Sequence, residues 1–399
     1  MSMFEADPVL SARDDRKTAA IAAQRARVSN DAAVIPRFSF ARDVLRSPNV
    51  LQAGAGAEHV KVENPDHTSV FFLDGELHRR RRTQLARYFT PKAIKDRHML
   101  VMARSTAQLL GELRTSGRER LDLLSFRLAC DVAAEVVGLT DSNPRGLAQR
   151  ILNTFNSLDP GDDGKRGGMK TALRSMYHTG RFWWQDIKPA MRARRGHDKE
   201  DVLSYMVAEG YSNKAILIEC MTYATAGMMT TREFIVMVAW HLFEKADLRA
   251  QFLAADEAGQ LAILDEILRL DPVATFVYRK PTEDVACGAD VAKADQLYAL
   301  DIRQANTDEA VTGPNPFALE PDRARRQKVA GSWLSFGDGA HRCPGSQVAL
   351  HETRIFIDAL LRLPGVRLAN PPQVTWNERI MGYELHGAFV ECDVAREAG

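Results

Sequence analysis

Residues 336–345, Phe-Gly-Asp-Gly-Ala-His-Arg-Cys-Pro-Gly, decide how this 399-residue chain is read. Gly337 and Gly339 permit backbone turns closed to other residues, and Gly345 follows Cys343 by two. Beyond them Val348, Ala349, Ile355, Phe356, Ala359 and Leu360 recur at near-helical spacing. Cys343 is thus placed at the mouth of a predicted helix, near unsatisfied N–H groups and the positive end of the dipole. Both favour a thiolate. Phe336 is positioned to shield the sulfur from water, and His341 and Arg342 add positive charge.

A structural zinc site needs more ligands, and no second cysteine lies within zinc-motif spacing. A nucleophilic cysteine needs a positioned base and must be open to substrate. A haem iron needs one axial thiolate on a loop and positive groups for two propionates. An inert free thiol is the ordinary reading of a lone cysteine, and the constrained positions around Cys343 argue against it. The stretch fits F-x-x-G-x-[HR]-x-C-x-G at every fixed position. It resembles the haem-ligand loop of the cytochrome P-450 family. The resemblance implies that Cys343 ligates the iron and that Phe336, His341 and Gly345 belong to the cofactor-binding loop, with His341 on a propionate.

The whole chain is compatible with that. Its length allows a large core or two domains. A formal charge of +1 gives no global field towards nucleic acid or an acidic partner. Hydrophobic content of 45% is that of an ordinary globular protein. The five cysteines, Cys130, Cys220, Cys287, Cys343 and Cys392, form no framework, which suits a reducing cytosol. The polar start, Met-Ser-Met-Phe-Glu-Ala-Asp, has no apolar segment for a signal peptide or membrane anchor, so neither is expected.

Residues 1–30 read as a charged, Ala-rich leader, 32–38 as a strand and 41–45 as a helix. Residues 49–72 read as irregular; Gly54-x-Gly56 is no dinucleotide loop, because no strand–turn–helix surrounds it. Next comes Leu-His-Arg-Arg-Arg-Arg, 77–82. A basic run is usually a solvated face, yet His78 and Arg82 are four apart and share one helical face. This resembles the family's H-x-x-x-R helix, which implies that His78 and Arg82 bind a haem propionate. Arg79, Arg80 and Arg81 are then left for the surface and for an acidic electron donor. Residues 98–156 read as amphipathic helix with short breaks, 158–168 as a flexible break, and 169–195 as two helices with Phe182, Trp183 and Trp184 in packing roles.

Asn213 to Lys245 reads as one buried helix, uncharged between Glu219 and Arg232. The run is too short and too polar to span a bilayer. Inside it stands Ala-Gly-Met-Met-Thr-Thr, 226–231. A mid-helix Gly227 costs about 1 kcal/mol relative to Ala, so a close neighbour is expected there. The segment resembles the family's A-G-x-[DE]-T-T motif, with Ala226, Gly227, Thr230 and Thr231 matching. The resemblance implies a haem-side role for Ala226 and Gly227 and an oxygen-side catalytic role for Thr230. The acid that helps deliver protons in the family is here Met229, which carries none. Met228 beside it is expected to line a soft apolar pocket.

Glu266 and Arg269 lie i,i+3, a spacing usually found in surface pairs. Upstream of Cys343 they resemble the family's E-x-x-R motif, with Arg323 as the third member of a lock behind the haem. Arg279 occupies the place of a second propionate-binding arginine, and Ala274, Thr275 and Val277 are expected to line the pocket. Residues 282–304 read as short strands, 313–331 as a meander, and 363–394 as a small β region whose tip, 381–383, approaches the pocket.

The resemblance, spanning about residues 32–394, implies a mostly α cytochrome P-450 fold with a small β-sheet region, in one domain over 1–399 after an irregular leader. It implies haem b, monooxygenation of a small apolar substrate, and electrons from a separate ferredoxin and ferredoxin reductase, since no flavin or iron–sulfur segment is visible. Neither nucleic acid nor a membrane is an expected partner, and a cytoplasmic location is expected. Two rivals stand beside it: a peroxide-driven haem-thiolate enzyme, motivated by Met229, and a non-enzymatic haem protein that senses gas or ligand.

Overall fold

The computed structural model describes Val28 and residues 32–54, 64–142, 144–158, 169–197 and 199–395. The 1–30 leader, apart from Val28, and the break at 159–168 lie outside the described residues, as do 55–63 of the predicted irregular segment. The main helices are α1 (Phe38–Arg46), α2 (Gly75–Leu85), α3 (Met99–Ser116), α4 (Leu121–Val137), α5 (Pro144–Leu158), α6 (Met169–Phe182), α7 (Lys188–Arg194), α8 (Val202–Ala208), α9 (Asn213–Tyr223), α10 (Thr230–Glu244), α11 (Ala246–Ala254), α12 (Glu257–Leu270) and α13 (Ser346–Leu361). The expectation of a mostly α chain with small sheets holds.

Helix starts follow the capping residues. Asp201, Ser212 and Asp256 each accept a hydrogen bond from the backbone N–H three residues on. The main core runs through α3, α4, α9, α10, α12 and α13, with Met102, Leu113, Leu128, Ile235, Ile267 and Phe356 among its fully buried members. The predicted helix over 213–245 runs from Asn213 to Glu244, but with a π-helical turn at Ala224–Met229 between α9 and α10. The wider turn sits on the Ala-Gly motif, the usual place for such a bulge being a functional site. The two helices expected over 169–195 are one run, α6 and α7 joined by a second π turn, Trp183–Ile187. The helix expected to begin at residue 41 begins at Phe38, its buried face Phe38, Ala41, Val44 and Leu45.

The strands are β1 (Ala33–Ile35), β2 (Val50–Ala53), β3 (Arg118–Arg120), β4 (Phe276–Pro281), β5 (Val285–Cys287), β6 (Asp290–Ala292), β7 (Tyr298–Asp301), β8 (Arg367–Asn370), β9 (Gln373–Asn377), β10 (Gly382–His386) and β11 (Phe389–Glu391). One sheet has the order β1-β7-β4-β2, with β1 parallel to β7 and the rest antiparallel. Its register sets Arg279 between Gln52 and Tyr298. The C-terminal strands form β9–β10 and β3-β11-β8. The tip before β10 packs on the start of β4: Thr275 N–H donates to Met381 O at 2.9 Å. Gly382 is obligatory there, because a Cβ would stand 1.8 Å from Val273 O.

Candidate functional site

The cysteine loop is held by its own backbone. Cys343 N–H donates to Phe336 O at 2.8 Å, and Gly337 N–H to Leu334 O at 2.8 Å. Gly339 has φ +63°, and a Cβ on it would lie 2.1 Å from Leu45 O, so the loop presses on the end of α1 as only glycine allows. Cys343 is half-buried, three residues before the start of α13. Burial pushes its thiol up, while the N–H groups of Gly345 and Ser346 and the charges of Arg82 and Arg342 favour the thiolate.

Cations gather beside this loop. Arg82 Nη2 donates to Arg342 O at 2.7 Å, and the Arg82 charge is felt by both Cys343 and the Tyr223 hydroxyl. Arg82 therefore stands between the cysteine loop and the central helix, one turn before Ala226. His78 is buried on α2, and its ring stacks on His341 with centroids 4.0 Å apart. Arg279 is buried in β4; its Nη1 donates to Tyr278 O at 2.7 Å, and no ion pair to it is found among the described residues. Burial lowers its pKa to about 10. His78, Arg82, Arg279 and His341 are thus brought together. Asp74 was not foreseen. It reads as a helix N-cap, yet its side chain accepts from Gln52 N–H at 3.1 Å and lies 3.0 Å from His341 Nε2. The local cue, an acid four residues before His78, does not reveal partners so distant in sequence. Tyr223 was missed as well.

On the central helix, Ala226 alone is exposed between Ala215 and Phe243, all of which are described; Gly227 and Thr230 are half-buried. Thr230 Oγ1 donates to Ala226 O at 2.6 Å, across the π turn. A Cβ on Gly227 would meet Ala133 at 3.6 Å, an ordinary contact. Protein packing among the described residues therefore does not demand glycine here, and the open face beside it is left as the reason. Met229 is buried. Met228 corrects an expectation: it is wholly buried, its Sδ 3.6 Å from Cys130 Sγ on α4, so it fills the core between helices rather than the open face.

Glu266, Arg269 and Arg323 form the expected lock. Arg269 grips Glu266 through both oxygens, at 2.9 and 2.8 Å, and Arg323 Nε reaches Glu266 Oε1 at 3.2 Å. All three are buried. Spare donors are satisfied by carbonyls of the 306–318 meander, Pro316 O at 2.6 Å and Thr312 O at 2.9 Å among them. This is the mutual pairing that buried charges require. Asn306 extends the lock towards the cysteine loop, its amide oxygen accepting from Leu334 N–H at 3.0 Å.

The expected pocket positions divide. Ala274 is half-buried, and Thr275 is buried with its hydroxyl unpartnered among the described residues. Val277 packs instead with the cluster of α1 and Trp333, away from its expected place. Arg81, expected at the surface, is buried: its guanidinium lies over the Tyr211 ring at 4.9 Å and donates to Asp66 O. A cleft of about 300 Å³ elsewhere is lined by Arg97, Glu135, Thr140, Lys199, Glu200 and Asp201; Arg97 pairs with Glu135 and Glu200, and Lys199 and Asp201 pair with Asp141 and Arg194 respectively.

These residues fit a haem. A loop thiol sits under backbone N–H groups, a helix opens at a small-residue face, and a buried arginine has no ion pair among the described residues, with Asp74 acting on it only through its charge. A model of the family Cytochrome P-450 matches residues 261–369. The chain is 26% identical over 330 residues to the biotin biosynthesis cytochrome P-450 of Bacillus subtilis, covering 79% of this chain and 78% of that one. It is 27% identical over 368 residues to the biflaviolin synthase of Streptomyces coelicolor, covering 89% and 81%. A cytochrome P-450 of Bacillus megaterium solved with corticosterone superposes with TM-score 0.76 at 19% identity, covering 96% of this chain and 100% of that one.

Proposed function

The chain belongs to the cytochrome P-450 family, and from that premise we propose that it hydroxylates a small apolar substrate with electrons from a separate ferredoxin and ferredoxin reductase. Family members bind haem b through a cysteine thiolate. When bound, the haem supplies the redox and oxygen-activating chemistry. The observation that carries the reading is the open face at Ala226, Gly227 and Thr230 in an otherwise closed helix.

In this reading Cys343 would hold the haem iron through its thiolate, its backbone fixed by the Phe336 carbonyl and its sulfur by the N–H groups of Gly345 and Ser346. His78, Arg82 and Arg279 bind propionates, with His341 positioned by Asp74. Phe336 packs against the core beside the thiol and limits water there. Thr230 holds a hydroxyl at the open face, accepting or donating as the Ala226 carbonyl is kept or released. Proton supply passes through ordered water at that hydroxyl, since Met229 has no proton to give. Ala274 borders an apolar substrate space, which suits a ligand without charge. A cytoplasmic site of action fits the five free cysteines.

Met229 motivates a second reading, turnover driven by peroxide without electron donors. One set of measurements separates them. The dithionite-reduced protein with carbon monoxide is expected to give a strongly red-shifted Soret band, lost in Cys343→Ala. Apolar ligands are then screened by spin-state shift, and turnover is compared with donor proteins and O₂ or with peroxide alone. A band at the imidazole position sinks the thiolate assignment, and peroxide turnover with no donor-dependent turnover sinks the first reading.

A further inference from the structure

Helix α6 is inside out. Thr171, Ser175, His178 and Phe182 share the face that turns towards the protein, where Thr154 Oγ1 of α5 donates to His178 O at 3.3 Å. The apolar residues point away: Met169 is 81% exposed, Leu173 52%, Met176 68% and Tyr177 59%, with Trp184 of the following π turn at 61%. Positions 169, 173, 176 and 177 lie on one helical stripe. Isolated exposed apolar residues are ordinary, whereas a continuous stripe marks an interaction site.

Charge says what meets it. Lys170, Arg174 and Arg181 follow one edge of the stripe, and from Met169 to Gln185 the sequence holds no acid. The next acid, Asp186, is buried and bonded to Arg150 at 2.6 Å through both oxygens. Lys188 Nζ sits 3.6 Å over the Trp184 ring, and Arg181 lies 5.9 Å from the Tyr177 ring. A second copy of this chain would bring the same cationic edge, with no acid among the described residues of the stripe to answer it. An exposed apolar stripe, aromatic rings beside cations and a one-signed border suit an interface of apolar chains under anionic headgroups.

We propose that α6 and Trp184 dock this protein on an anionic lipid surface. Such a helix lies in the surface plane, so it needs no spanning segment, and no described helix is long and apolar enough to cross a membrane. The contact differs from the expectation of no membrane partner, which rested on the lack of an apolar anchor segment, because a surface-lying helix needs none. It is independent of the reaction.

The test is flotation of the haem-loaded protein with vesicles of phosphatidylcholine alone or mixed with phosphatidylglycerol. Binding is expected only with the anionic lipid, falling with added salt, with Trp184 emission shifted to the blue relative to a Trp184→Phe control. Arg174→Glu is expected to weaken binding by at least about fivefold, from the usual contribution of one cation near such a surface. Leu173→Glu with Met176→Glu is expected to abolish it while leaving the carbon monoxide spectrum unchanged. Absence of binding to anionic vesicles, equal binding to neutral ones, or binding untouched by the double substitution would overturn the proposal. Self-association of the protein lost in the same double variant, without vesicle binding, would likewise overturn it in favour of a protein interface.

Discussion

The rings of His78 and His341 stack with centroids 4.0 Å apart and planes 19° from parallel. Burial, then the neighbouring His341 and Arg82, push His78 down to about 4, so a neutral ring meets its partner at physiological pH. A neutral imidazole retains one N–H to donate. His78→Phe keeps the stack and removes that donor. Loss of a hydrogen bond to a charged group, about 1.5–3 kcal/mol, is expected to speed haem transfer to excess apo-myoglobin by at least about tenfold, with little change in far-ultraviolet circular dichroism. An unchanged transfer rate would remove His78 from the cofactor shell.

Arg279 behaves as a cation awaiting a carboxylate. Its folded pKa, about 10, lies below the ordinary 12.5 because burial disfavours the charge. The charged form therefore opposes folding at every pH below about 10, by on the order of 3 kcal/mol. Arg279→Met is expected to make the haem-free protein as stable as wild type or more so, and to weaken haem retention. Urea melts of both forms decide the matter; a less stable haem-free variant would mean that Arg279 is already compensated.

Thr230 donates to the Ala226 carbonyl across the π turn at 2.6 Å. Thr230→Ala is expected to leave haem content intact while the fraction of consumed electrons recovered in product falls several-fold. Thr230→Ser, which keeps the hydroxyl, is expected to recover most of it. Equal coupling in all three proteins would assign Thr230 to helix geometry alone.

Glu266 neutralises two buried arginines. Glu266→Gln leaves Arg269 without its counter-charge and Arg323 with Glu320 alone, and breaking a comparable buried pair costs about 3–5 kcal/mol. The thermal midpoint of the holo-protein is expected to fall clearly, and thiolate ligation to fail before unfolding, because Asn306 joins this lock to the cysteine loop. A wild-type melting profile would show that the lock carries no such strain.

Glu219 is buried on α9 facing Ser69, Arg81 and the Val70 N–H, and burial pushes its carboxyl up to about 7 from 4.5. The folded chain holds this proton more tightly than the unfolded one. The contribution to stability is therefore complete below about 4.5, declines as pH rises to 7, and is constant beyond. Glu219→Gln is expected to stabilise the protein at pH 8 by on the order of 3 kcal/mol and to change little at pH 4. Equal effects at both pH values would mean the carboxyl titrates normally.

Local chemistry was readable from residues alone. The glycines around Cys343, the four-residue step from His78 to Arg82 and the three-residue step from Glu266 to Arg269 are short-range patterns, and each survives into the structure. The fold class followed from the family resemblance those motifs carry in their order along the chain, and the structure bears it out. What the sequence could not settle were contacts between distant segments. Asp74 meets His341, Met228 turns to Cys130 rather than to the open face, and Arg81 is enclosed by Tyr205 and Tyr211 instead of water. The apolar stripe of α6 is visible in its spacing, but only the packing of Ser175 and His178 inward shows that the stripe faces out. Periodicity tells which residues share a face. Which face is buried depends on what the rest of the chain brings against it.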